Sequence, residues 1–239
     1  MKLLVKYTGK GGIFNNMKTL AILISFVALN LNPCLGQKHE LELIIRPAPT
    51  SLRGNEVVKN NLDPKLSLSA GIAFHYSLKE NSALNFTILY DTKGGGTETY
   101  IVYRDQQGQI VDEGNVTINA NYHYITIPVQ WQKRLGQKIT YQFGAGIYTS
   151  FLLKQEDVAK GLNGSIDDTQ DRTEMSKTID FGVVASFSSF FPINEQLSLK
   201  IGIDNLLGIT NASAVPVSNN GTIKHNSLGL TAGLILKLK

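Results

Sequence analysis

The chain has 239 residues, enough for one sizeable domain or one barrel. Its net charge of +4 comes from Lys2, Lys6, Lys10 and Lys18; the first 36 residues hold no acidic side chain, and the rest carries 19 basic and 19 acidic residues. That balance argues against the basic stripe of a nucleic-acid-binding domain, and the single cysteine, Cys34, excludes a disulfide framework and a thiolate metal site.

From Met17 the chain reads MKTLAILISFVALNLNPCLGQ. Lys18, a short apolar run over 20–29 and small residues before Gln37 have the form of a secretory signal peptide. Residues 1–36 are assigned to it and 37–239 to a barrel domain. Met17 is the expected start, a long n-region the alternative. The apolar run is shorter than the roughly 20 residues that a membrane-spanning helix needs. Cys34 follows Pro33, a poor match to a lipoprotein cleavage box, and is read as a small residue near the cleavage site.

Beyond the leader, period two dominates and helical periodicity is almost absent. Eight strands are read at about 38–46, 65–78, 82–92, 120–133, 138–153, 177–190, 196–207 and 227–239, with boundaries good to a few residues. In the second, Leu66, Leu68, Ala70, Ile72, Phe74, Tyr76 and Leu78 oppose Ser67, Ser69, Gly71, Ala73, His75 and Ser77. In the fourth and fifth, Ile125, Ile127, Val129, Trp131, Tyr141, Phe143 and Ile147 oppose Thr126, Gln130, Gln142, Gly144 and Gly146. The last sets Leu228, Leu230, Ala232, Leu234, Leu236 and Leu238 against Gly229, Thr231, Gly233, Ile235, Lys237 and Lys239.

The connections alternate. Short ones fall at 78–82, 134–138 and 191–196, long ones at 47–64, 93–119, 154–176 and 208–226. The second long connection holds its own alternating hairpin, TETYIVYRDQQGQIVDEGNVTI, which extends two strands past a membrane surface. Sorted loop lengths and a Gly/Ser/Thr/Gln face predict an eight-stranded antiparallel up-and-down transmembrane β-barrel with four long extracellular loops and three short periplasmic turns. The alternative is a soluble barrel or sandwich. Its outer face would then be mostly Ser and Gly, a poor solubilising surface.

No residue is assigned a catalytic, cofactor or metal role. Pro128, inside a strand, predicts a bulge. Gly144 and Gly146 lack the third glycine and the helix of a nucleotide loop; they make room for bulky lumen neighbours such as Tyr122, Tyr124 and Tyr148. The run Gly94–Gly96 reads as a flexible loop entry. His39, His75, His123 and His225 are not at metal-ligand spacing. His75 and Ser77 share the lumen face, so a barrel-borne hydrolase can be imagined, although any pair of lumen polar residues would look the same. Glu156, Asp157, Asp167, Asp168, Asp171 and Glu174 match no calcium loop and read as a solvated acidic segment, able to meet divalent ions that bridge lipopolysaccharide. Glu40, Glu42, Arg46, Lys200, Asp204 and Lys237 are expected to pair inside the lumen, because unpaired buried charge is costly, and so to plug it.

The stretch YITIPVQWQKRLGQKITYQFGAGIYTSFLL resembles the PorT-like outer-membrane β-barrel family, through Tyr124, Ile127, Pro128, Gly136, Gly144, Gly146 and Tyr148. LSLSAGIAFHYSL and SLGLTAGLILKLK are similar to that family's other strands, so the resemblance covers roughly 38–239. One departure is the ending Leu236-Lys237-Leu238-Lys239, where many such barrels close on an aromatic residue. The resemblance implies an eight-stranded barrel in the outer membrane of a Gram-negative cell, and no enzyme. The expected role is structural or recognition through extracellular loops; the alternative is a component of a protein-secretion or envelope-assembly machinery. Expected partners are outer-membrane lipid and lipopolysaccharide, and envelope proteins; no cofactor and no nucleic acid are expected.

Overall fold

A computed structural model describes residues 39–238 apart from 55, 137–138, 162–163, 165 and 218–219. The expected signal peptide over 1–36 lies outside these residues. The strands are β1 (Glu40–Arg53), β2 (Lys65–Lys79), β3 (Ser82–Arg104), β4 (Ile110–Leu135), β5 (Thr140–Gly161), β6 (Ile166–Asp171), β7 (Ile179–Pro192), β8 (Leu197–Gly208) and β9 (Lys224–Lys237). A short helix, α1 (Glu56–Asn61), sits between β1 and β2, and a 3-10 turn (Thr173–Met175) follows β6.

All described pairings are antiparallel. Strands β1-β2-β3-β4-β5-β7-β8-β9 pair in succession, and β9 returns to β1, so eight strands close a barrel. Closure pairs each strand on both sides and leaves no edge inside a bilayer. The ninth strand, β6, falls within the long connection expected over 154–176. It lies outside the ring and pairs with Glu156–Gly161 of β5, continuing the edge that β7 occupies lower down. Its sequence, IDDTQD, carries no apolar alternation, so period two could not reveal it.

Side-chain direction settles which solvent each face meets. Exposed residues on the outside include Leu43, Ile45, Leu66 (76% exposed), Leu68, Trp131 (52%), Phe143, Ile147 and Leu230. Arg46, Glu42, Asp91, Lys93, Thr126, Gln142 and Asp180 point inward and are fully buried or nearly so. A water-soluble barrel would reverse this arrangement. The apolar belt therefore faces lipid, as in transmembrane barrels. Among the described residues no helix is long and apolar enough to cross a membrane.

The three tight connections cluster at one end with both ends of the described chain. At the other, β3, β4 and β5 run 23, 26 and 22 residues. A tilted strand crosses in about 9–11 residues, so these continue well beyond the bilayer as an extramembrane sheet completed by β6. The hairpin expected within the second long connection is present. It turns at Asp105–Gln109, where Asp105 Oδ1 accepts the Gln107 and Gln109 amides at 2.9 and 2.8 Å and Gly108 takes φ +82°.

Two backbone expectations change. The bulge expected at Pro128 is absent: the β3–β4 ladder lacks pairs opposite Ile127 and Pro128, yet its register is unchanged on either side (Phe86↔Val129, Leu89↔Thr126). A proline has no N–H for that ladder, and a gap accommodates it without an extra residue. The irregularity between β4 and β5 falls instead at His123/Tyr124. Gly94–Gly96 are not a loop entry but lie within β3, opposite Asn121–Asn119. Without side chains there, the 54–64 connection can lie against the strand, and Asp63 and Gly96 exchange backbone bonds of 2.6 and 3.0 Å.

Candidate functional site: the filled lumen and the projecting sheet

The lumen is packed in tiers of charge. Near the tight turns, Arg134 from β4 donates to both oxygens of Glu40 (2.9 and 2.5 Å) and to Gln142 Oε1 (2.9 Å), and its guanidinium lies 4.5 Å from the Phe190 ring. Above it, Glu42 accepts from His75 Nε2 (2.8 Å) and meets Lys200 Nζ (2.5 Å), while His75 Nδ1 lies 3.0 Å from Gln132 Oε1. Arg46 binds Asp204 (2.6 Å), Ser227 Oγ (2.8 Å) and the Ser227 carbonyl (3.1 Å).

The next tier centres on Lys93. Its ammonium donates to Ser150 (3.0 Å) and Asp180 (3.3 Å), lies 3.6 Å from Asp91, and sits over the rings of Tyr148 and Tyr124 at 4.5 and 5.0 Å. Asp91 accepts from Ser69 (2.6 Å) and Thr126 (3.0 Å), and Asp180 from Tyr148 (3.3 Å) and Thr210 (2.9 Å). Glu40, Glu42, Arg46, Asp91, Lys93, Asp180 and Lys200 each lie beside an opposite charge, the condition under which buried charges are tolerated.

Small residues make the space. A side chain at Gly229 would overlap the Arg46 guanidinium, one at Gly233 the Glu42 carboxylate, and one at Gly182 the Tyr148 ring. At the long-loop mouth, Leu52, Tyr122 and Tyr124 form a cluster covered by Val58, Leu62, Ala120, Leu152 and Ile223. The connection carrying α1 thus stops the barrel. Between Arg46, Asn85, Gln130, Gln132, Lys200 and Asp204 the interior holds a cavity of about 40 Å³. That holds a water or two and no solute of ordinary size.

The expected pairing of lumen charges is met by Arg46 with Asp204 and by Lys200 with Glu42. Glu40, however, takes Arg134 as its partner, while Lys237 is half-exposed at the lower rim. Arg134, Lys93, Asp91 and Asp180 were missed. Their inward parity is legible, but Lys93 falls in the expected 93–119 connection and Arg134 in the expected 134–138 turn. Tyr122, Tyr124 and Tyr148 are buried in the lumen as expected, although it is Gly182 and Gly208, rather than Gly144 and Gly146, that make room for Tyr148.

The other candidates separate. His75 faces the lumen, both nitrogens engaged as above, and Ser77 lies half-buried nearer the tight turn. His39 stacks with Tyr76 (5.1 Å), His123 meets the Tyr90 hydroxyl (2.7 Å), and His225 lies 3.1 Å from the Tyr124 hydroxyl.

The acidic segment is dispersed over β5, β6 and the following turn. Glu156 is bound by Lys154 and lies 3.5 Å from His123; Asp157 is 3.6 Å from Arg172, and Asp171 caps the Thr173 amide at 2.9 Å. The Lys154 hydrogen bond holds the Glu156 carboxyl below its ordinary range, and Thr173 does the same for Asp171. Burial raises Asp157. No group of three or more metal-ligating side chains gathers among the described residues.

The chain matches the family described as outer membrane protein beta-barrel domain over residues 46–214. No curated protein matches it. Among solved structures it is similar to Neisserial surface protein A (13% identity, 84% of this chain and 97% of that one, TM-score 0.46). It is also similar to the outer membrane protein OprG from Pseudomonas aeruginosa (9% identity, 84% and 96% covered, TM-score 0.43). A third is Ail, the attachment invasion locus protein of Yersinia pestis (8% identity, 84% and 99% covered, TM-score 0.41).

Proposed function

This chain belongs to the outer membrane protein beta-barrel domain family and is an outer-membrane barrel; from that premise we propose a non-enzymatic protein whose working part is the long-loop end. The observation that carries this reading is the contrast between the two parts of the molecule. Among the described residues, the lumen is filled by paired charges and covered at its long-loop mouth by the connection carrying α1. Beyond the belt, a four-stranded sheet from β3, β4, β5 and β6 projects with Tyr100, Val102, Tyr103, Ile110 and Val111 exposed. Large apolar side chains outside both lipid and core mark an interaction surface.

The orientation follows that of related barrels, with tight turns in the periplasm and the projecting sheet outside the cell. Lipid and lipopolysaccharide are then its lateral neighbours. Cysteines placed singly at Gly108 and Asn81 of the Cys34→Ser chain test this in whole cells. A membrane-impermeant maleimide is expected to label the first and spare the second; the reverse pattern overturns the orientation. The PorT-like resemblance supports a second reading, a component of a secretion or envelope-assembly machine. Stable co-purification of envelope proteins from detergent extracts would favour it over a free-standing barrel.

A further inference from the structure

The projecting sheet has two edges of different character. One is β6, whose IDDTQD run places Asp167, Asp168 and Asp171 along it. Charge of one sign on an edge strand blocks pairing with another chain. The other is the side of β3 that faces away from β4. Strand β2 pairs with β3 only up to Tyr90, and Asp63 bridges Gly96. From Thr97 to Arg104 nothing among the described residues pairs with that side, while β4 pairs with the other, its one irregularity between Tyr103 and Arg104 placing the extra residue, Val111, on β4 and not on β3. The eight residues, TETYIVYR, are β-prone and rich in large side chains, with Tyr100 59% and Tyr103 61% exposed. An unpaired, unguarded edge of this kind accepts a further strand.

The sequence of the edge says which strand. Opposed residues in an antiparallel pair share a face, so two copies of one strand meet only in registers that keep parity. Centred on Ile101, Glu98 lies opposite Arg104 of the second copy, Tyr100 opposite Val102, and Thr99 opposite Tyr103, each pair occurring twice. Centred on Tyr100 or on Val102, Glu98 loses Arg104 as its partner. Only the Ile101 register unites opposite charges with aromatic–β-branched pairs, the cross-strand combinations that stabilise sheets. The Glu98 side chain is exposed, and Arg104 gives one donor to the Gly108 carbonyl (2.9 Å), leaving others free.

We propose that the Thr97–Arg104 edge of β3 joins the same edge of a second copy of this chain, antiparallel and centred on Ile101. The contact is isologous, with its two-fold axis normal to the sheet. Rotation about that axis inverts the barrel, so the joined copies point in opposite directions and stand in facing bilayers. This names the partner of the surface assigned above and rests on that reading.

Charge exchange tests the register. Glu98→Arg puts Arg opposite Arg in its own dimer, and Arg104→Glu puts Glu opposite Glu, but one variant mixed with the other restores both opposite-charge pairs. The full chain in detergent micelles is followed by sedimentation, and its reconstitution into phosphatidylcholine vesicles by light scattering. The expected result is concentration-dependent dimers and vesicle clustering for the unmodified chain. Each variant alone should associate at least roughly tenfold more weakly, and the mixture should recover. Heat-modifiable gel mobility checks that both variants fold.

A folded chain that stays monomeric at all concentrations overturns the proposal. So does a mixture that fails to recover, association undiminished in both variants, or an edge that binds foreign extended peptides while the chain ignores itself. Recovery of the protein as a soluble species without detergent would instead overturn the membrane reading beneath it.

Discussion

Arg46 offers the sharpest test of the lumen as a structural plug. Its side chain is fully buried and is held by Asp204 at 2.6 Å and by Ser227 at 2.8 and 3.1 Å. Arg46→Met keeps most of the volume and removes the charge, leaving Asp204 inside the barrel without its counter-ion. Breaking a buried pair in this way costs about 3–5 kcal/mol. Replacing both partners, Arg46→Met with Asp204→Leu, leaves no orphaned charge, and such exchanges are often neutral. The double variant is therefore expected to recover most of the loss, with a coupling of roughly 2 kcal/mol or more between the sites. Urea titration of the barrel in phosphatidylcholine vesicles, read by Trp131 fluorescence, gives the four stabilities of the cycle. A loss below about 1 kcal/mol in Arg46→Met, or a double variant as unstable as the sum of the singles, would refute the reasoning.

Gly182→Val should block folding or destabilise by about 1–3 kcal/mol, because its Cβ would stand 2.5 Å from the Tyr148 ring; urea titration measures it. Ile147→Arg places a cation on the lipid side of β5 and should cost about 2–4 kcal/mol near the midplane, whereas a solvent-facing site would show almost no change. In the β5–β6 flap, Glu156 and Asp171 titrate below their ordinary range, so their contribution is full above that range and is lost as pH falls through the lowered values. Asp157, raised by burial, acts in the opposite sense. Amide exchange over 156–171 should therefore quicken on acidification below about pH 4 while β7–β9 stay protected.

Much of this architecture was legible because a barrel wall is built on period two. Leu66 to Leu78 and Leu228 to Leu238 disclosed both the lipid side and the lumen side of their strands. The order of long and short connections then supplied the meander. Recognition failed where that signal changes meaning. Above the belt, β3 to β5 are no longer apolar on one side, so Gly94–Gly96 and the acidic run of β6 resembled loop. Helix α1 is a six-residue segment with no room for a helical period. In the lumen, Glu42, Arg46, Lys200 and Asp204 were visible by parity. The Glu40–Arg134 pair was not, since closure of the ring brings together residues 94 apart in sequence. Pro128 interrupts the β3–β4 ladder by a gap and not by the expected bulge; the two have the same sequence signature.

The whole reading depends on the apolar belt meeting lipid, and Trp131 can report it directly. It is the chain's single tryptophan, lies on the outer face of β4, and is 52% exposed. In vesicles of phosphatidylcholine with brominated acyl chains, its fluorescence should be strongly quenched, while aqueous iodide should have little effect. Strong quenching by iodide with none by the brominated chains would place that face in water and contradict the membrane barrel.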